Sequence, residues 1–152
     1  MMKNRFKFLL IFLIILLDQL LKFYIKKNIL PNQEIVLIPN VLSITNIRNS
    51  GAAWSILEGK TWIFITVTII FIPIALYFLF FKSNHVLFFN LGLSMIIGGT
   101  IGNFIDRIFN KQVIDMLMLK FIDFPIFNIA DVAINIGVLF LIIYIFQDGD
   151  NM

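Results

Sequence analysis

The chain has 152 residues, of which 60% are hydrophobic, and its mean hydropathy is +0.96. A soluble domain of this length does not carry so much apolar sequence, so the composition excludes a water-soluble globular protein. The net charge of +3 comes from Lys and Arg at the ends of apolar runs, where they reach lipid headgroups, and it predicts no nucleic-acid partner. Because cysteine is absent and His85 is the single histidine, we predict no disulfide, no metal site and no cofactor.

Four apolar runs each approach the ~20 residues that a helix needs to cross a bilayer. They predict an all-α membrane protein, one integral domain over residues 1–152, with helices at about 6–25, 62–81, 86–107 and 127–146. The first run follows basic residues, as in a signal peptide, but the sequence after it, DQLLKFYIKK, has no small-x-small cleavage site, so we expect an uncleaved helix. Those basic residues favour a cytoplasmic N-terminus, although a larger number of basic residues then lie outside.

The long connection between the first two helices has β character. Residues 35–38 and 41–47 are β-favouring, and Pro39 with Asn40 forms a turn between them. We therefore predict a small extramembrane β element at about 33–58, lying on the membrane surface. The connection at 108–125 would add another short strand, whereas residues 82–85, KSNH, join the second and third helices tightly.

The polar residues of the membrane segments converge on one face. In four antiparallel helices, the ends of helices one and three meet the starts of helices two and four, and both long connections lie on that side. An ionisable group inside a membrane segment is costly, so it is a functional hypothesis by default. The converging residues are Asp18, Lys22, Asn49, Asn103, Asp106, Arg107, Asp115, Asn128 and Asp131.

Helical spacing groups several of these residues on common faces. Asp18 and Lys22 are at i and i+4, so they could neutralise each other or contact a substrate. Gly99, Asn103 and Arg107 recur at i, i+4 and i+8 and form one polar stripe on the third helix. The glycines of this stretch permit close approach, either by a neighbouring helix or by a substrate chain.

Peptide hydrolysis without cysteine, histidine or metal can use two carboxylates that share one water, one protonated and the other ionised. By position, Asp115 and Asp131 are the best pair, and Asp106 and Asp123 are competitors. Asp106 adjoins Arg107 and is expected to brace it. Asp123 has no polar neighbour in the sequence and is expected to be a solvated interfacial residue.

Four motifs in order make the sequence resemble lipoprotein signal peptidase, or signal peptidase II, a family of bacterial membrane aspartic peptidases. The resemblance covers nearly the whole chain, and four motifs at this spacing are highly specific. They are DQLLK at 18–22, NSGAAW at 49–54, GGTIGNFIDR at 98–107 followed by VID at 113–115, and FNIAD at 127–131.

The resemblance implies a fold of four transmembrane helices with a small extramembrane β-cradle, together with a function and a set of site residues. Asp115 and Asp131 would be the catalytic dyad, and the polar residues that orient the substrate or the dyad would be Asn49, Asn103, Arg107 and Asn128. Asp18, Lys22 and Gly99 match further motif positions and are expected to contribute to substrate binding. The implied substrate is a prolipoprotein, cleaved on the N-terminal side of its diacylglyceryl-modified cysteine. The enzyme would act as a monomer in contact with membrane lipid, in the bacterial cytoplasmic membrane, with its site near the outer face.

The sequence departs from the family pattern at three positions. Lys111 stands where a glycine is usual in the turn before the catalytic aspartate. Trp54 replaces the commoner Phe, and Val132 follows Asp131 where a small polar residue is common. None of these departures removes a dyad carboxylate.

Two other functions remain open from the residues alone. Ser50 or Ser55 could pair with Lys60 in a serine–lysine peptidase, although nothing in the sequence fixes their geometry. The chain could also be a small transport or assembly subunit whose intramembrane charges are structural. Against transport, the second helix offers no polar path, and its Pro73 favours a kink rather than a gate.

Overall fold

A computed structural model describes residues 3–52, 54, 56–82 and 87–149 of the chain. In these ranges it contains four long helices and a three-stranded antiparallel sheet, as the sequence predicts. All four helices are long and apolar enough to span a membrane. His85, Ser55 and the predicted start of the third helix at 86 lie outside the described residues.

The helices are α1 (Asn4–Asn28), α2 (Thr61–Tyr77), α3 (Leu87–Asn110) and α4 (Ile129–Gly149). α1 ends three residues before Pro31, a residue that cannot continue a helix, and Lys26 and Lys27 in its last turn complement the helix dipole. Both α1 and α3 extend about a turn beyond the predicted ends, because polar residues at a membrane surface can stay helical outside the hydrocarbon.

Pro73 lies inside α2, and the helix continues from Phe78 to Lys82 as a π-helical segment. The buried ammonium of Lys7 on α1 donates a hydrogen bond of 2.8 Å to the carbonyl of Leu79 in this segment. Irregular helical backbone in a membrane leaves carbonyls to be satisfied from elsewhere, and the Lys7 contact satisfies one of them.

The sheet has the order β1-β2-β3, with β1 at Glu34–Ile38, β2 at Leu42–Asn49 and β3 at Val113–Leu119. The predicted hairpin is confirmed, with Asn40 at a φ of 59° in its turn, a conformation that Asn tolerates well. β3 is the strand predicted in the later connection. The predicted β element ran to 58, but β2 ends at Asn49, and residues 51, 52 and 56–59 form bends and turns.

α3 lies at the centre of the molecule and contacts each of the other three helices. Ile97, buried on α3, packs with Ile11 of α1 and Leu79 of the π-helical segment in one apolar cluster. A second cluster, which includes Ile25 at the end of α1 and Met116 of β3, joins the sheet to the bundle. This second contact sets β3 directly over the polar ends of the helices.

Candidate active site

One cleft gathers polar residues from β2, α3, β3 and α4 at the end of the bundle that carries the sheet. Its volume is about 350 Å³. Its lining includes most of the site residues predicted from the sequence: Asn49, Asn103, Arg107, Asp115 and Asp131. Both predicted dyad aspartates therefore open into the same cleft.

Asp115 lies on β3 opposite Ile47 of β2, which turns its side chain into the cleft. Its Oδ1 accepts a hydrogen bond of 2.6 Å from Asn128 Nδ2, and its Oδ2 accepts one of 2.9 Å from Asn49 Nδ2. Burial raises the pKa of Asp115 to about 6, and the negative charge of Asp131 adds to the rise, against the two amide hydrogen bonds. This carboxyl can therefore carry a proton near neutral pH.

Asp131 is fixed by the way in which α4 begins. Asn128 precedes the first helical residue, its Oδ1 accepts from the Asp131 N–H at 3.0 Å, and its own N–H donates to Asp131 Oδ2 at 3.1 Å. This reciprocal pair is a capping box, in which each side chain satisfies a free backbone N–H of the first turn. The motif FNIAD thus specifies a helix start and a carboxylate position together.

The two aspartates are joined through Asn128 and Asn103. Asn128 bonds Asp115 with its side chain and Asp131 with its backbone. Asn103 Nδ2 donates to Asp131 Oδ1 at 2.7 Å, and Asn103 Oδ1 accepts from Asn128 Nδ2 at 3.2 Å. Every oxygen of the pair accepts an amide N–H, an arrangement that fixes both carboxyl planes.

Arg107 holds the rim of the cleft. Its Nη2 donates to the carbonyl of Gly51 at 3.2 Å, and its guanidinium lies 4.6 Å from the ring centre of Phe64 on α2. The side chain therefore ties the loop after β2 and the start of α2 to α3, while the charge stays beside the cleft.

The prediction that Asp106 braces Arg107 is wrong, because Asp106 pairs with Lys22 instead. Asp106 Oδ2 lies 3.0 Å from Lys22 Nζ and accepts a hydrogen bond of 3.3 Å from the Ile114 N–H. Successive helical residues point about 100° apart, so neighbours in sequence on α3 face different elements. Asp106 faces α1 and β3, whereas Arg107 faces α2.

Four predicted site residues are not among the residues that line the cleft: Asp18, Lys22, Gly99 and Asn128. Asp18 and Lys22 form the predicted ion pair, at 2.8 Å, and are almost completely buried between α1 and α3. Gly99 packs against the carbonyl of Ala130, and a Cβ there would collide with the α4 backbone, so helix packing accounts for this glycine. Similarly, a Cβ at Gly102 would lie 2.7 Å from Asp18 Oδ2.

Asp123 is exposed, as predicted, and lines a smaller cavity of about 210 Å³ that meets the main cleft at Asn49 and Asp115. Ser50 lines this smaller cavity, and in the described part of the chain no hydrogen bond joins it to Lys60. The geometry therefore gives no support to a serine–lysine pair at Ser50. Ser55, the other predicted serine, lies outside the described residues.

Several residues of the cleft were not predicted from the sequence. Asn135 lines it, and its position four residues after Asp131 on α4 was a usable signal. The apolar wall comes partly from the turn before α4, where Phe124 and Phe127 stand edge to face. Trp54, noted only as a departure from the motif, stands against Phe124. The cleft therefore combines a polar floor with an apolar aromatic wall.

Comparisons with known proteins agree with this architecture. A protein-family model described as "Signal peptidase (SPase) II" matches residues 10–147. A lipoprotein signal peptidase of Lactobacillus johnsonii is 47% identical over 133 residues, which are 88% of this chain and 86% of that protein. One from Streptococcus pyogenes is 41% identical over 98% of both chains. A solved bacterial membrane enzyme superposes with a TM-score of 0.93 at 36% identity, covering 97% of this chain and 92% of the other.

Proposed function

Since this chain belongs to the signal peptidase II family, we propose that it removes the signal peptide from prolipoproteins as an aspartic endopeptidase. It cleaves on the N-terminal side of a cysteine that carries diacylglycerol. The observation that supports this most directly is the shared amide framework, in which Asn128 bonds both Asp115 and Asp131 at the floor of one cleft. Family membership also identifies a peptidase rather than a transport or assembly subunit.

In the proposed reaction, the dyad shares one proton. The ionised carboxylate takes a proton from a water held between the two groups, and that water attacks the scissile carbonyl. The protonated carboxyl donates to the carbonyl oxygen. We assign the shared proton to Asp115, because burial first and the Asp131 charge second raise its pKa to about 6, so that this carboxyl is protonated chiefly below that pH. Loss of this proton then sets the alkaline limb of activity, as a property of the pair.

The substrate contacts follow from the lining of the cleft. Asn49 and Arg107 line the cleft and bind the substrate backbone, and Asn49 also holds the dyad together with Asn103 and Asn128. The aromatic wall of Trp54 and Phe124 covers the peptide near the lipid-modified cysteine. Asp18, Lys22 and Gly99 act from behind the cleft, because they support the elements that carry these residues.

The molecule is a multi-pass membrane protein, and we place it in the bacterial cytoplasmic membrane, as a monomer, with the cleft near the outer face. The cleft lies at the end of the four-helix bundle that carries the sheet. There the diacylglyceryl chains of a substrate can stay in the bilayer while its scissile bond reaches the dyad.

A cleavage assay in detergent tests the proposal. The substrate is a prolipoprotein with a diacylglyceryl-modified cysteine, and the same prolipoprotein without lipid is the matched control. We expect Asp115→Asn and Asp131→Asn to fold and to lose cleavage by a factor of about 10⁴ or more, since each removes one half of a unit that acts together. Ser50→Ala should cleave like the unmodified enzyme. Cleavage retained in either Asn variant would rule out the dyad, and equal cleavage of the unlipidated control would rule out the lipid requirement.

A further inference from the structure

A buried ammonium lies behind the catalytic cleft and uses all three of its N–H groups. Lys22 on α1 is 2% exposed. Its Nζ lies 2.8 Å from Asp18 Oδ2, 3.0 Å from Asp106 Oδ2 and 2.9 Å from Asn103 Oδ1. An ammonium has three donors, and here each has one acceptor, two of which are carboxylates. Ordinary charge neutralisation would require a single carboxylate.

Each acceptor of Lys22 reaches onward to one of the dyad segments. Asp18 Oδ1 accepts from the N–H of Ala130, the residue before Asp131, at 3.0 Å. Asp106 Oδ2 accepts from the N–H of Ile114, the residue before Asp115, at 3.3 Å.

The third acceptor reaches the dyad by its side chain. Asn103 donates to Asp131 Oδ1 at 2.7 Å and accepts from Asn128, which bonds Asp115. Three short paths therefore connect one ammonium to both catalytic segments, which come from different parts of the chain.

We propose that Lys22 is a positioning residue that fixes the β3 segment of Asp115 relative to the α4 segment of Asp131. The inference rests on the proposed aspartic mechanism. Without the ammonium, two buried carboxylates face each other without a counter-ion, and Asn103 loses the donor that orients its amide. The strands and helices that carry the dyad then separate or rotate slightly. A displacement on the order of 1 Å is enough to cost ~10²-fold in rate.

The charge of Lys22 gives the proposal a second, electrostatic readout. Burial and the charge of Asp131 raise the pKa of Asp115, and the positive charge of Lys22 opposes them. The other charged groups around this network are Asp18 on α1 and Asp106 and Arg107 on α3. Removing only the ammonium therefore raises the pKa of Asp115 further. A smaller amount of folded protein would lower the activity by the same factor at every pH and would leave the pH of the alkaline limb unchanged.

The test compares Lys22→Met with Lys7→Met in the full-length enzyme. Lys7 is also a buried lysine of α1, 3% exposed, and it bonds the carbonyl of Leu79 at the opposite end of the helix. The two sites are about 22 Å apart along α1. Each purified variant is assayed for kcat, KM and pH dependence on the lipid-modified prolipoprotein, with melting temperature and size-exclusion profile measured in parallel.

We expect Lys22→Met to lower kcat on the order of 10²-fold per folded enzyme, with KM within about two-fold, and to move the alkaline limb to higher pH. Lys7→Met should lower the melting temperature and leave kcat and the pH profile unchanged. If Lys22→Met does not fold, Lys22→Met/Asp106→Asn removes one of the two unpaired carboxylates, restores the original net charge of the cluster and keeps an acceptor for Ile114. The same kinetic losses are expected of it, although the pH shift is smaller because Asp106 no longer contributes its negative charge.

Two results would overturn the proposal. One is a kcat per folded enzyme that stays at the unmodified value in the Lys22 variants. The other is a loss of rate with an unshifted alkaline limb in Lys22→Met, which would indicate a purely structural ion pair. Either result leaves the proposed function intact as long as the unmodified enzyme cleaves and Asp115→Asn and Asp131→Asn do not. If those Asn variants cleave, the proposed function itself fails.

Discussion

At the scale of single residues, amide N–H groups of the protein supply the hydrogen bonds to the two carboxyl groups of the site. Four N–H groups, three from side chains and one from the backbone, bond the four oxygens of Asp115 and Asp131. A buried carboxylate that lacked such donors would be strongly destabilised. The amides are neutral, so they orient the two carboxyls without fixing the proton on either. This arrangement suits the proposed mechanism, in which the pair exchanges a proton during turnover.

Because the pKa of Asp115 is raised, the ionised form of this residue lowers the free energy of unfolding. Asp115→Asn should remove this destabilisation. The pKa rises from 3.8 to about 6, chiefly through burial, so the folded state binds the proton more tightly than the unfolded state. Stability therefore falls as the pH rises from about 4 to about 6, by up to about 3 kcal/mol. We expect Asp115→Asn to raise the melting temperature at pH 8 and to have little effect at pH 4.

Differential scanning fluorimetry of the two proteins in detergent across this pH range measures the effect. The matched control is Asp123→Asn, because Asp123 is exposed and a surface substitution of this kind changes stability little. A melting temperature for Asp115→Asn that is lower than that of the unmodified enzyme at pH 8 would contradict the prediction.

At the scale of elements, the start of α4 has one role in folding and another in the proposed reaction. Asn128 caps the helix with its Oδ1 and bonds Asp115 with its Nδ2, so one side chain performs two separable tasks. Serine caps a helix nearly as well as asparagine but is too short to reach Asp115 with a donor. The two tasks can therefore be separated by substitution.

We expect Asn128→Ser to keep a melting temperature near that of the unmodified enzyme and Asn128→Ala to lose about 1 kcal/mol of stability. Both should lose about 10–100-fold in kcat, since a hydrogen bond to a charged group contributes about 1.5–3 kcal/mol. Thermal melting and steady-state cleavage measure the two quantities. If Asn128→Ser kept the kcat of the unmodified enzyme, Asn128 would act only as a helix cap, and its hydrogen bond to Asp115 would not contribute to the rate.

The elements themselves were largely predictable, because the signals for them are local. Apolar runs of about 20 residues predicted the four helices, and the β-favouring residues on both sides of the Pro39–Asn40 turn predicted the hairpin. The pairing of Asp115 with Asp131 came from position and from the motifs, and the structure brings both to one cleft. The role of that pair as a dyad remains a prediction.

Other features were not predictable because they depend on contacts distant in the chain. Asp106 faces Lys22 rather than Arg107 because β3 and α1 pack on that side of α3, a fact that no local spacing contains. Similarly, the backbone of α4 packs so closely against Gly99 that a side chain there would collide with it. The π-helical segment after Pro73 depends partly on Lys7, which lies more than sixty residues earlier in the sequence.

At the scale of the whole molecule, the usual distribution of polarity is reversed. Large apolar side chains such as Phe12, Phe23 and Leu139 are exposed on the outer faces of the helices, where hydrocarbon is the solvent. The interior near the cleft instead holds Asp18, Lys22 and Asp106, almost fully buried. Since lipid gives helices little hydrophobic reason to associate, this buried network adds directional contacts to the packing of α1, α3 and α4.

The proposed orientation follows from this arrangement and predicts which residues are accessible from each side. The sheet lies at the end of the bundle that bears the cleft, and the N-terminus of α1 lies at the other end. If the cleft faces outward, Gln33 before β1 is extracellular or periplasmic and Asn4 is cytoplasmic. Both side chains are exposed, and because the chain contains no cysteine, single Cys substitutions report without background.

We expect a membrane-impermeant maleimide applied outside whole cells, with the outer membrane permeabilised where one is present, to label Gln33→Cys and not Asn4→Cys. After the membranes are opened, Asn4→Cys should be labelled as well. Ala133→Cys, buried at 5% exposure inside the bundle, is the unlabelled control in both conditions. Labelling of Asn4→Cys in intact cells would reverse the orientation. It would place the cleft at the cytoplasmic surface and so contradict the proposed localisation of the site.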